Sequence, residues 1–98
     1  MKNAKEDLKP EPPTIVTASN GNAVPLRISV RAAVGAYLDH VDATEITGFY
    51  DLVLAEVEVP LLQAVMEKVR YNQSKAARLL GLNRATLRTK LRRYHLLD

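Results

Sequence analysis

The chain contains no cysteine. That excludes a disulfide framework, a thiolate metal site and a cysteine nucleophile. No apolar run is long enough to span a bilayer. The polar, mixed-charge opening from Met1 to Lys9 leads into no signal-peptide core, so a soluble cytoplasmic protein is expected. The only two histidines, His40 and His95, lie far apart, each near an expected helix end. Such a residue ordinarily caps or faces solvent. There is no His-Glu-x-x-His motif, no phosphate loop and no spacing that sets a nucleophile beside a base. Glu56 and Glu58 fall two apart on one expected helix, so they face different ways and suit a dimer or solvent face better than acid/base work. No enzyme, no metal and no cofactor is expected. Internal repeats and low-complexity tracts are absent as well.

What is present is a short chain of 98 residues with divided charge. One small domain fits that length, and a core so thin gains from dimerisation. The net charge of +3 hides an asymmetry: residues 1–70 carry −3 and residues 71–98 carry +6. Segregation of this kind suits one face made for a polyanion and a remainder made for something else.

The basic segment has internal order. From Asn72 to Tyr94 it reads as two short helices around a tight turn. Ala76, Ala77, Leu79 and Leu80 give the first an apolar face, and small Ala77 lets a second helix cross closely. Gly81 stands where the first must end, since glycine accepts a left-handed backbone. Leu82 follows as an apolar plug. Asn83 suits an N-cap whose side-chain oxygen accepts from the N–H of Ala85 or Thr86. Leu87 and Leu91, at i and i+4, point inward together. Arg84, Thr86, Arg88, Lys90, Arg92 and Arg93 are left for the outside. The pattern is a helix-turn-helix with a cationic second helix.

The preceding chain divides in two. Residues 1–25 hold four of the five prolines and form an arm. Within it, Thr14-Ile15-Val16-Thr17 favours a strand, Asn20-Gly21 a two-residue turn, and Asn22-Ala23-Val24 a short return strand; hairpin and disordered tail both remain open. Residues 26–70 form an assembly core. A first helix is expected from Leu26 to about Asp39, with Leu26, Val30, Ala33, Val34, Tyr37 and Leu38 on one stripe. Across His40 to Thr47, both Asp42 and Thr47 offer N-caps, and Asp42 with Glu45 has capping-box spacing. A long second helix follows, from somewhere in 42–49 to about Arg70, and Pro60 should kink it rather than end it. Ile46, Phe49, Tyr50, Val53, Leu54, Val57, Leu61, Val65, Met66 and Val69 recur at helical spacing, with Leu52, Val59 and Leu62 off that stripe. A helix so nearly apolar all round wants burial on two sides. In so short a chain the second side is a copy of itself, so an all-α, intertwined homodimer is expected. Residues 71–98 are its nucleic-acid reader.

Pro25-Leu26-Arg27, Tyr50 through Glu58 (Tyr50-Asp51-Leu52-Val53-Leu54-Ala55-Glu56-Val57-Glu58), Pro60-Leu61-Leu62, Asn72-Gln73, Leu80-Gly81-Leu82-Asn83-Arg84, Thr86-Leu87-Arg88 and Lys90-Leu91 resemble the Fis family of bacterial nucleoid-associated, DNA-bending proteins. The likeness covers roughly residues 25–94. It implies four helices per subunit, a homodimer built on the middle two, and each last helix in a major groove. The two reading helices would sit closer than one DNA turn, so the duplex bends. It also implies that Asn83 and Arg84 touch base edges while Asn72, Ser74, Thr86, Arg88 and Lys90 hold phosphates or the groove edge. RNA polymerase or a site-specific recombinase is the implied protein partner, with regulation of transcription and recombination the implied role. Three departures stand out. Tyr71 occupies a position where the family usually has Gly, Thr89 one where Lys is common, and no acidic residue lies near Asn20-Gly21.

The residue chemistry supports the same site. Arg84, in the first turn of the second motif helix, can take guanine O6 and N7 bidentately. Asn83 is either a cap alone or a cap whose amide also donates to a base. Thr86 carries a hydroxyl one turn on, suited to phosphate. Asn72, Ser74 and Lys75 open the first motif helix, where N–H groups and the dipole favour phosphate, although Asn72 or Ser74 can equally be an ordinary N-cap. Arg88, Lys90, Arg92 and Arg93 supply charge. Since 100° per residue spreads them around the helix, Arg88 and Lys90 are favoured over Arg92 and Arg93. Two rival readings stand beside this one. The chain is a protein-interaction adaptor for a recombinase or RNA polymerase, or it is the isolated DNA-binding domain of an enhancer-binding activator. The strings at residues 53–62, with no ATPase domain before the motif, favour the family above.

Overall fold

The computed structural model describes residues 14–19 and 22–97. They fall into two units divided between Ile46 and Thr47.

In the first unit, strands β1 (Val16–Ser19) and β2 (Asn22–Pro25) pair antiparallel and lead directly into helix α1 (Leu26–Asp39). The described part of the arm is thus a pair of antiparallel strands. The outward strand lies two residues further along than Thr14–Thr17, because Ser19 pairs with Asn22 and Val16 with Pro25. That register leaves room for a two-residue connection, the length such hairpins favour. The turn expected at Asn20-Gly21, and the proline-rich stretch before Thr14, lie outside the described residues. The hairpin is fastened to α1 by polar contacts. The N–H of Leu26 donates to Ile15 O at 2.9 Å. Thr17 Oγ1 donates to Val24 O at 3.1 Å and lies 2.7 Å from Ser29 Oγ.

Helix α1 begins and ends where its sequence directs. Pro25 occupies the N-cap position with φ −54°, a conformation proline already holds. At the other end, His40 Nδ1 lies 2.8 Å from Ala36 O, and the His40 N–H donates to Tyr37 O. No residue of α1 is fully buried, and Ile28, Tyr37 and Leu38 are exposed.

The cap assignments after α1 differ from expectation. Asp42 caps a single 3-10 turn, Ala43–Glu45, accepting from Thr44 N at 3.0 Å and Thr44 Oγ1 at 2.6 Å. The Thr44 hydroxyl first, and the Thr44 amide second, hold its carboxyl below the usual range. Asp42 and Thr47 do not start the long helix. Gly48 takes that N-cap place at φ +71°, without a side-chain cap. A left-handed residue re-aims the chain, and glycine takes that conformation freely.

The second unit holds α2 (Phe49–Lys68), α3 (Gln73–Leu80) and α4 (Arg84–Arg93). Pro60 lies within α2 and the helix continues past it; it has no N–H to give the Glu56 carbonyl. The core joins Leu62, Val65 and Met66 of α2, Ala76 and Ala77 of α3, and Leu87 and Leu91 of α4. Val69, Leu80, Tyr94, Leu96 and Leu97 pack around it. Full burial in α2 is therefore confined to Leu62, Val65 and Met66 in its C-terminal half. Tyr50, Leu52, Leu54, Val57 and Leu61 are 38–73% exposed. Among the described residues no helix is long and apolar enough to cross a membrane.

The α2–α3 turn carries strain. Arg70 and Tyr71 adopt φ of +55° and +64°, a region that costs a residue with a Cβ roughly 1–2 kcal/mol. Glycine removes that cost but adds roughly 0.5–1 kcal/mol of unfolded-state entropy. The Tyr71 side chain is largely exposed, so little burial is lost. Tyr71→Gly is expected to raise stability by about 0.5 kcal/mol and the thermal midpoint by roughly 2–4 °C. Tyr71→Ala, which keeps the Cβ, should leave the strain in place. Melting curves at equal chain concentration check the pair, and a lower midpoint for the glycine variant would contradict the strain argument.

Candidate nucleic-acid interface

Local chemistry shapes the motif. Asn72 Oδ1 accepts from Lys75 N at 3.0 Å, which caps α3. Gly81 ends it at φ +73°, and the Leu82 N–H returns to Ala77 O at 2.9 Å. Asn83 Oδ1 accepts from Ala85 N at 2.7 Å and starts α4 two residues later. Three polar or glycine positions thus fix both ends of a tight turn. Ala76 and Ala77 are buried between the helices, and Leu87 and Leu91 are wholly enclosed beneath α4. Small side chains on α3 let α4 cross closely, and the two leucines set which way α4 faces.

With that face fixed, Arg84, Thr86, Arg92 and Arg93 are exposed, as are Asn72, Ser74, Lys75 and Asn83. Thr89 is exposed too, its hydroxyl turned back onto Ala85 O at 3.0 Å. Arg88 is half-buried: its Nη1 donates to Gln73 Oε1 at 2.9 Å, bridging α4 to the first residue of α3.

Lys90 departs from the expected outer position. It is half-buried, and its Nζ lies 2.6 Å from Glu58 Oε2 on α2. The other carboxylate oxygen, Oε1, accepts from Tyr94 Oη at 2.5 Å. The reason is helical phase. Leu87, Lys90, Leu91 and Tyr94 stand at i, i+3, i+4 and i+7, which is one stripe, and a lysine stem can lie along apolar surface with its charged end reaching out. The ranking of exposed cations accordingly changes: Arg92 and Arg93 are open, while Arg88 and Lys90 are engaged within the chain. Hydrogen bonds from Lys90 and then Tyr94 hold the Glu58 carboxyl below its ordinary range. The same carboxylate raises Tyr94.

Glu58, Gln73 and Tyr94 were not among the expected site residues. The stripe that carries Lys90 and Tyr94 inward is visible in the sequence. Their acceptor, 32 and 36 residues away, leaves no local signal.

A capped two-helix motif with a cationic second helix seated on a thin apolar core defines a helix-turn-helix DNA-binding protein. Residues 53–94 match the family described as bacterial regulatory protein, Fis family. The chain is 43% identical over 93 residues to the DNA-binding protein Fis of Vibrio cholerae, covering 92% of this chain and 95% of that one. The DNA-binding protein Fis of Vibrio campbellii matches to the same extent. That of Aliivibrio fischeri is 49% identical over 82 residues, covering 83% of this chain and 84% of its own. The chain belongs to the Fis family.

Proposed function

We propose that two copies of this chain pair through their exposed apolar helix faces and present two α4 helices to successive major grooves of a bent duplex. The observation that carries the pairing is the exposure of Tyr50, Leu52, Leu54, Val57 and Leu61 along α2. A run of exposed large apolar residues on a 20-residue helix exceeds the scattered exposure normal for a monomer. Symmetric pairing is the commonest way to cover such a face. Arg84, with Asn83, meets base edges in this reading. Asn72, Ser74, Lys75, Thr86 and Arg92 grip phosphates, while Arg88 and Lys90, held by Gln73 and Glu58, add positive charge at the groove's flank. Few of these side chains read bases and many hold phosphate. Selectivity therefore rests partly on how readily the central base pairs deform. The protein then acts as a nucleoid-associated factor in the cytoplasm, regulating transcription or recombination where it bends DNA. RNA polymerase or a site-specific recombinase is its proposed protein partner, and its role is binding rather than catalysis.

A salt titration on a duplex of about two helical turns, with guanine at both half-sites, tests this. Two chains should bind per duplex. The slope of log affinity against log salt should be about −0.9 per phosphate neutralised. A duplex with an AT-rich centre should bind more tightly than one with a stiff centre. One chain per duplex, a monomer in sedimentation at micromolar concentration, or indifference to the centre would sink the corresponding part of the reading.

A further inference from the structure

The Glu58 carboxylate of α2 reaches the reading helix with both its oxygens. Oε2 takes the Lys90 ammonium at 2.6 Å, and Oε1 takes the Tyr94 hydroxyl at 2.5 Å. Both donors lie in the last turn and C-cap of α4. The Lys90 and Glu58 side chains are only 24% and 18% exposed. Asp51 and Arg93 line the same crevice, so Glu58 sits among one other carboxylate, two cations and one phenol.

We propose that Glu58 is a positioning residue for DNA reading. By clamping Lys90 and Tyr94 it sets the tilt of α4 on α2, and through that tilt the place where Arg84 meets a base edge. The inference rests on the reading that α4 recognises DNA through Arg84.

The lever is short and stiff. Six residues separate Arg84 from Lys90, about 9 Å at the helical rise. A tilt of roughly 10° over that length moves Arg84 by about 1.5 Å, several times the spread of good hydrogen-bond distances. Leu87 and Leu91 resist translation of α4 but are apolar and permit rocking. The Arg88–Gln73 bond ties the helix to α3, which leaves Glu58 as the polar tie to α2. Bidentate base contacts are the most sensitive to such rocking, and phosphate contacts by long flexible cations the least. Glu58 therefore governs discrimination more than gross affinity.

The test is fluorescence anisotropy on two duplexes that differ only in having or lacking the half-site guanines. The proteins are the full chain and its Arg84→Ala, Glu58→Gln and Tyr94→Phe variants, with folded fractions matched by circular dichroism. Glu58→Gln is expected to lower guanine preference about three- to tenfold, part of what a bidentate pair supplies, while affinity for the guanine-free duplex is kept. Tyr94→Phe, which removes one hydroxyl and keeps the ring, should lose a smaller share. The double variant should do no worse than Glu58→Gln, because the two act through one contact. Retention of full preference by Glu58→Gln overturns the proposal. So does an equal gain of affinity on both duplexes, which would mark Glu58 as a counter-charge that withholds Lys90. Preference that does not depend on Arg84 in the parent chain overturns the underlying reading of α4, a result distinct from either.

Discussion

Leu91→Ala is expected to destabilise the helix-turn-helix by about 2–5 kcal/mol, a large share of the stability of so small a domain. Leu91 is completely enclosed, so truncation removes its contacts and leaves a cavity. The site cannot easily collapse, because its neighbours are Leu87, the two alanines of α3 and the three α2 residues that make the rest of the core. Among the described residues seven buried ones supply that core, and a small domain of ordinary stability has only roughly 5–15 kcal/mol to lose. DNA binding should fail together with the fold, since Leu91 fixes the face that α4 presents. Leu79→Ala is the matching control. Leu79 is 57% exposed on α3, and a substitution there should change stability by no more than about 0.5 kcal/mol. Urea unfolding followed by far-ultraviolet circular dichroism, at one fixed chain concentration because the proposed pairing would add to apparent stability, separates the two. A loss below about 1 kcal/mol for Leu91→Ala would mean that α4 is not seated on this core.

The same local chemistry that makes these residues sensitive made the motif readable. Asn72, Gly81 and Asn83 act on backbone groups within five residues of themselves, so a single sequence carries their whole explanation. Pro25 before an apolar stripe likewise marks the start of α1. Leu87 and Leu91 announce their burial by spacing alone. The readings that moved were those in which distant or competing groups decide. Asp42 had good capping chemistry, but the 3-10 turn at Ala43–Glu45 used it before α2 could. The strand register slid because the pairing leaves only two residues between its ends, a constraint that strand propensity does not contain. Lys90 is the more instructive residue. Its phase put it on the stripe with Leu87, Leu91 and Tyr94, yet its charge argued for solvent. Phase prevailed because Glu58 supplies a half-buried counter-charge from a helix far away in the chain. The outer positions of Arg84, Thr86 and Arg92 needed no such partner and follow from helical geometry alone.

If α4 reads DNA as proposed, Arg84→Ala is expected to erase most of the preference for guanine at the half-sites while sparing much of the general hold on DNA. Arg84 is the first residue of α4, and it is exposed. Among the described residues no hydrogen bond or ion pair engages its side chain, so nothing in the chain competes for its guanidinium. Its neighbour Asn83 holds the helix start with its oxygen, which leaves the Asn83 amide group free to donate outward from a fixed position. A guanidinium there matches guanine O6 and N7 with two parallel donors, worth about 1–3 kcal/mol of discrimination. The expected loss is therefore roughly 5- to 150-fold in preference. Arg84→Lys separates geometry from charge. The ammonium keeps the positive charge but lacks the planar fork, so the salt slope should be kept and the preference not. Arg92→Ala should do the opposite, weakening binding about equally on all sequences and reducing the salt slope by about one. Competition binding with guanine-containing and guanine-free duplexes at several salt concentrations reads both quantities for all three variants. If Arg84→Ala kept its preference while Arg92→Ala lost it, the C-terminal turn of α4 would be the reading end. The helix would then enter the groove from the opposite direction.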